Sequence, residues 1–418
     1  MVFKITKWVL FVFLFFSKWF YNHAYSQNLV CVNSTTLLTD SQELHDYKYP
    51  YFRINKTVNA AGKETGIIIY FQDFYENLLF DIDTLNFELF SFEKHISKII
   101  KVPVGKKFKD HKLQPKHQLN SFYVVENKLY LLVSNTIYEY EISKSKVCGF
   151  RKSYKMDEIG FDWLSMIDKQ SGILCKSLIE SNEGIEFLKF NIKNNKIVFS
   201  DTLIVKFDGM NYLLSENSFI STDGDFIIMG NATSSKIVFI DKNKLEIKNS
   251  FYHAKSTLSS NNNNTSSYSD KFNLLNSIYS DSSTYHYQTC YFSDSVIYRS
   301  RTKRVGKHPH LLDIYKMTNK GWDSVETLCE GLYNFKRFRD TSEIYGLMHF
   351  DPMSSVNSRI AANGSLFAIG LSFDLTKDLT KNKNTFYKFP ISELRNKGKT
   401  AFENKTYQFN IYEYELVH

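Results

Sequence analysis

One short motif recurs along the chain, and its recurrence limits the possible fold more than any other feature. The unit is an aromatic or aliphatic residue, a polar one and usually another apolar one, then a Lys/Asn-rich turn and a second short strand. Its copies read Leu79-Phe80-Asp81-Ile82, Glu139-Tyr140-Glu141-Ile142, Lys189-Phe190-Asn191-Ile192, Phe239-Ile240-Asp241-Lys242, Ile314-Tyr315-Lys316-Met317 and Lys388-Phe389-Pro390-Ile391. The anchors Phe80, Tyr140, Phe190, Ile240, Tyr315 and Phe389 are 60, 50, 50, 75 and 74 residues apart. Hairpin-like turns follow five of them, as in Lys193-Asn194-Asn195-Lys196 and Lys242-Asn243-Lys244. Periods of this size mark folds that stack one supersecondary unit on the next.

Upstream of most anchors runs an unbroken apolar segment: Gly66-Ile67-Ile68-Ile69-Tyr70, Leu129-Tyr130-Leu131-Leu132-Val133, Phe226-Ile227-Ile228-Met229 and Leu366-Phe367-Ala368-Ile369-Gly370. Such runs fit strands buried on both faces, whereas alternating runs fit half-exposed ones. Each unit therefore reads as a buried central strand followed by an outer hairpin. A four-stranded unit repeated in this way resembles the blade of a β-propeller. The resemblance implies an all-β fold, a six-bladed β-propeller, with residues 27–58 and 407–417 available to close the ring. A seven-bladed ring follows instead if those two ends form a blade of their own. The Gly-His and Trp-Asp marks of WD repeats and the paired glycines of kelch repeats are missing, and Ser221-Thr222-Asp223-Gly224 does not complete a sialidase-type Asp box. Two β-sandwiches with coincidental spacing are the competing arrangement.

The N-terminus predicts export. Lys4 and Lys7 precede an unbroken apolar run over residues 8–16, and Ala24-Tyr25-Ser26 places small residues at the −3 and −1 positions of a cleavage before Gln27. That is the pattern of a secretory signal peptide. A spanning helix needs about 20 apolar residues, and Ser17-Lys18 interrupts this run first. The organisation expected is a signal peptide over 1–26 and one propeller domain over 27–418. The polar run 255–272 is read as a disordered loop. Localisation is then secreted and extracellular, with no stable membrane insertion after cleavage.

Gly and Pro total only 23, where average usage gives about 50, so the turns must be built from Asn, Asp, Ser and Lys. Net charge is +8, of which Lys4, Lys7 and Lys18 leave with the signal peptide. The remaining +5 is mild and argues against nucleic acid as a partner. Five cysteines (Cys31, Cys148, Cys175, Cys290 and Cys329) lack metal-ligand spacing. In an oxidising compartment they suggest up to two disulfides and one buried thiol. Sequons at Asn33, Asn55, Asn231, Asn263, Asn264, Asn363 and Asn404 are glycosylation candidates in a eukaryotic secreted protein.

Familiar catalytic signatures are absent: no His-Glu-x-x-His, no Gly-x-Ser-x-Gly and no phosphate-binding glycine loop. Asp81-Ile82-Asp83 lacks the glycine of a calcium loop, and His308-Pro309-His310 is read as a solvated loop. No metal and no cofactor are expected. Three basic clusters stand out, carrying Lys106, Lys107 and Lys109; Arg299, Arg301 and Arg304; and Arg337 and Arg339. Strand direction alternates within a blade, so a turn after the second strand and a link after the fourth share one end. All three clusters are expected at that end, where their field attracts anions. The reading is a secreted, non-catalytic binding protein whose partner is an extracellular protein or an anionic glycan. A secreted hydrolase or lyase on the same scaffold and an extracellular matrix component are the alternatives.

Overall fold

The computed structural model describes residues 28–38, 50–73, 84–104, 119–143, 146–158, 160–178, 184–205, 218–231, 234–252, 285–293, 296–303, 310–318, 321–329, 359–373 and 407–417. Every regular element in them is a strand. β1 (Asn28–Thr36) comes first. Meanders of four antiparallel strands follow: β2 (Pro50–Val58), β3 (Glu64–Asp73), β4 (Thr84–Ser91) and β5 (Ile96–Pro103); then β6 (Leu119–Val125), β7 (Lys128–Val133), β8 (Thr136–Glu141) and β9 (Gly149–Lys155). The next are β10 (Phe161–Met166), β11 (Ser171–Leu178), β12 (Gly184–Lys193) and β13 (Lys196–Val205); then β14 (Ser218–Asp223), β15 (Phe226–Asn231), β16 (Ser234–Asp241) and β17 (Glu246–Tyr252). After β18 (Tyr285–Ser293), β19 (Val296–Lys303), β20 (His310–Thr318) and β21 (Gly321–Cys329) come β22 (Arg359–Ala362), β23 (Ser365–Phe373) and β24 (Tyr407–Val417).

The last sheet is completed from the other end of the chain. Its order is β22-β23-β24-β1, and β1 pairs antiparallel with β24 from Asn28↔Val417 to Thr36↔Asn410. The architecture is therefore an all-β propeller. First strands lie side by side: β2 pairs parallel to β6 through Thr57↔Val124 and Val58↔Val125. β10 lies against β6, β18 against β14, β22 against β18, and β2 against β22.

The sheets pack face to face through their middle strands, as the continuous apolar runs require. Ile68, Phe87, Ile100, Leu129, Leu131 and Tyr140 share one core between the first two meanders. Tyr130, Leu132, Leu164, Leu174 and Phe190 join the second to the third, and Ile173, Phe187, Ile227, Met229 and Ile240 the third to the fourth. Each such side chain taken out of water is worth about 1.5–3 kcal/mol. The seam between the last and first sheets is more polar. Lys56 and Glu64 form a buried ion pair, and Glu64 Oε2 also accepts the Asn363 backbone N–H at 2.6 Å. Leu38 N–H donates to the buried Glu88 at 2.6 Å, and Phe92 stacks on Phe367 with ring centres 4.9 Å apart.

The recurring motif sits on the third strand of its sheet at Tyr140, Phe190, Ile240 and Tyr315. Phe80 and Phe389 lie outside the described residues. In the first sheet the equivalent position belongs to Phe90, opposite Ile67, and in the last to Tyr414, opposite Leu366. The two chain ends do not share a blade of their own. β1 and β24 finish the last sheet, while β2 opens the first.

Candidate functional site

A four-stranded meander has two ends, and the connections differ sharply between them. Links from first to second strand and from third to fourth strand run only two to seven residues, as at 126–127, 194–195 and 142–148. Every connection longer than seven residues leaves the other end: 37–49, 74–83, 104–118, 206–217, 253–284, 330–358 and 374–406. Long connections on a rigid scaffold are where binding residues concentrate.

Arg299 and Arg301 lie within β19, opposite Cys290 and Asp313 and opposite Tyr287 and Leu311 respectively. The strand runs on to Lys303, so these two belong to the strand and not to the turn after it, where their place between two apolar strands predicts them. Lys106, Lys107, Lys109, Arg304, Arg337 and Arg339 lie outside the described residues, as do residues 255–272 and the 1–26 segment.

At the same end, the described side chains build a cluster that no sequence pattern announced. Lys176 on β11 donates to Glu158, from the link before β10, at 2.8 Å, and pairs with Glu186 on β12 at 2.9 Å. Its ammonium also sits 5.7 Å from the centre of the Phe161 ring. Burial alone would lower the Lys176 pKa, but the hydrogen bonds to Glu158 and Glu186 outweigh it and hold the amine above its ordinary value. These residues come from β10, β11, β12 and the link before β10, so only the sheet register brings them together. Nearby, Arg53 donates to the carbonyls of Leu119 and Asn120. Asn120 Nδ2 in turn donates to the Phe161 carbonyl at 2.6 Å, tying three first strands together.

Elsewhere the buried titratable groups serve structure. Glu139 is buried, accepts the Tyr154 hydroxyl at 2.6 Å and pairs with Lys128 at 2.6 Å. Burial pushes the phenols of Tyr130, Tyr138, Tyr140 and Tyr154 well above their ordinary range, and the hydroxyls of Tyr130, Tyr140 and Tyr154 donate to the Lys169 carbonyl, the Pro103 carbonyl and Glu139 respectively. Burial also pushes the Cys148 thiol up to about 11 and the Cys175 thiol well above its ordinary value. Both are free thiols packed in the cores between sheets, where one buried thiol was expected. That leaves Cys31, Cys290 and Cys329, enough for a single bridge. Among the described residues no group of three His, Cys, Asp or Glu side chains is placed to hold a metal ion. Within them, no helix is long and apolar enough to cross a membrane.

The sequons fall in different settings. Asn33, at a bulge in β1, hydrogen-bonds His95 Nδ1 at 2.7 Å. Asn55 is half-buried in β2, and its Nδ2 donates to the Phe122 carbonyl at 2.6 Å, so the folded structure uses this amide internally. Asn231 ends β15. Asn363 is exposed in the β22–β23 turn, with φ at 50°. Asn263, Asn264 and Asn404 lie outside the described residues.

No family model matches the chain, and no curated protein matches it in sequence. Among solved structures it is similar to a candidate exported protein from Bacteroides fragilis, at 11% identity and a TM-score of 0.49, covering 94% of this chain and 96% of that one. It is also similar to hydrazine synthase from Kuenenia stuttgartiensis, at 9% identity and a TM-score of 0.39, covering 87% and 86%. A β-propeller domain from Myceliophteria thermophila follows at 8% identity and a TM-score of 0.33, covering 65% and 67%.

Proposed function

We propose that the protein is a secreted six-bladed β-propeller that binds an extracellular protein or an anionic glycan, without catalysis, through its loop-bearing end. Support for six blades comes from the meander of four strands, which repeats until β1 supplies the missing outer strand of the last sheet. Support for secretion comes from the 1–26 segment, whose cleavage leaves Gln27 as the mature N-terminus.

The observation that carries the binding reading is the asymmetry of the connections. All those longer than seven residues leave one end, and the segments bearing Lys106, Lys107, Lys109, Arg337 and Arg339 are among them. Arg304 follows the last residue of β19 at that end too. Clustered positive charge at the rim of a rigid scaffold draws anions by its field.

The test is titration of the mature protein, beginning at Gln27, with heparin oligosaccharide. Replacing Arg299, Arg301 and Arg304 together with Ser removes one set of binding sites. Circular dichroism of the variant checks that β19, which carries Arg299 and Arg301 between two partner strands, still forms. The remaining affinity falls as salt rises, since exposed charges are screened beyond about 8 Å at physiological ionic strength. An unchanged stoichiometry in the triple variant, or the absence of binding at low salt, refutes the reading.

A further inference from the structure

We infer that the short-turn rim of the first four sheets, opposite the loop-bearing end, is a second binding surface, for an extended anionic polysaccharide. The inference rests on a device repeated at three consecutive seams. Lys98 on β5 donates to the Ser143 carbonyl, at the start of the β8–β9 turn, at 2.9 Å. Lys152 on β9 donates to Asn195 Oδ1, in the β12–β13 turn, at 3.1 Å. Lys189 on β12 donates to the Asn243 carbonyl, in the β16–β17 turn. In each case a lysine of one sheet is held by the third-to-fourth-strand turn of the next.

All three acceptors are neutral. A carbonyl or amide oxygen fixes the position of an ammonium group without cancelling its charge. Among the described residues none of the three lysines takes part in an ion pair. Asp201 faces Lys189 across the strands and accepts a hydrogen bond from the Ser200 hydroxyl at 3.0 Å, while Asp225 and Asp241 hold the Asn243 turn, so of the three ammonium groups Lys189 has the most negative surroundings but still forms no ion pair among the described residues. Exposed Lys146, Lys193 and Lys196 sit in or beside the same turns and add to the field.

The arrangement selects the ligand's shape. Each ammonium is on a different four-stranded meander, so the charges follow the rim as an arc and do not converge on one point. A compact anion meets one of them at a time, whereas a chain carrying a charge on each repeat meets all three. Pre-positioned ammonium groups also lose less side-chain freedom on binding, which is a cost of association for mobile lysines. The choice of polysaccharide over nucleic acid rests on the proposed secretion.

The mature protein, the Lys98→Gln/Lys152→Gln/Lys189→Gln variant and the corresponding triple Arg variant are titrated with heparin oligosaccharide. Glutamine keeps a donor for the neutral acceptor and removes the charge; arginine keeps the charge. The Gln triple is expected to bind about tenfold more weakly at this surface and to lose part of its salt dependence. The Arg triple keeps the affinity. Equal loss in both variants means the lysines only hold the turns, and it overturns the inference. So does unchanged binding in the Gln triple, or tighter binding of polyglutamate or duplex DNA than of heparin. Loss in the Gln triple together with no effect of the Arg299, Arg301 and Arg304 replacements leaves this surface standing and removes the loop-end reading. The reverse pattern does the opposite.

Discussion

Gly172→Ala tests whether the sheets are packed as tightly as their registers imply, because two effects there have opposite signs. Replacing glycine by alanine in a strand normally stabilises by about 0.4–1 kcal/mol, since the unfolded chain loses freedom. At Gly172 the added Cβ meets the Phe190 ring, 2.6 Å from Cζ and 2.8 Å from Cε1, and lies 2.7 Å from the Ser165 carbonyl oxygen. Gly172 is opposite Phe190 in the β11–β12 ladder and opposite Met166 in the β10–β11 ladder, so its neighbours press from both sides. The ring cannot swing aside at low cost. Phe190 is fully buried among Tyr130, Leu132, Leu164 and Leu174. Overpacking of this kind costs about 1–3 kcal/mol, which outweighs the entropic gain. Gly172→Ala should therefore lower the urea midpoint without changing the slope of the transition. In the Phe190→Leu background, where the clashing ring atoms are gone and only the Ser165 carbonyl contact remains, the same substitution should cost less. The coupling in this double-mutant cycle is the readout. A neutral or stabilising Gly172→Ala, or an equal cost in both backgrounds, refutes the reasoning.

Two further outcomes follow from buried groups. The phenols of Tyr130, Tyr138, Tyr140 and Tyr154 ionise at higher pH in the folded chain than their ordinary value of 10.0. The native state then holds more protons than the unfolded one above about pH 10, so stability is full below that pH and falls as pH rises. Ultraviolet titration should show these four phenolates appearing only with unfolding; a smooth native titration near pH 10 contradicts the burial. Cys148 and Cys175 should be silent toward a thiol reagent at pH 8 and react once urea is added, because both are buried with raised thiol pKa values. Rapid native labelling of either would contradict their place in the core.

The motif was legible where its turn chemistry was conventional. Behind Phe190 and Ile240 come Asn194, Asn195 and Asn243, and the left-handed positions in the first of these turns are both asparagines, at φ 50° and 60°. Asn tolerates that region better than most residues. In the first sheet the corresponding turn is Phe92-Glu93-Lys94-His95, with His95 at φ 48°. It contains no Gly or Asn, so the strand before it, with Phe90, does not carry the motif, whose first copy in the sequence is Leu79-Phe80-Asp81-Ile82. In the last sheet the third strand, β24, is followed by no turn at all, since its partner β1 lies at the other end of the chain. Two paired strands at opposite ends of the chain leave no strand–turn–strand pattern in the order of residues.

Period-two patterning and turn residues act over a few positions, so the sequence by itself determined the all-β class, the four-stranded unit and the third-strand anchors Tyr140, Phe190, Ile240 and Tyr315. Charge and apolar runs also marked the N-terminal segment and the basic clusters. Closure of the last sheet by β1, the Lys56–Glu64–Asn363 seam, the Lys176 cluster with Glu158 and Glu186, and the handing of Lys98, Lys152 and Lys189 to the next sheet's turn were decided only by tertiary structure. Each of these joins residues from different strands or different sheets. Their meeting depends on register and on the angle between packed faces, and neither quantity leaves a mark in the local order of residues.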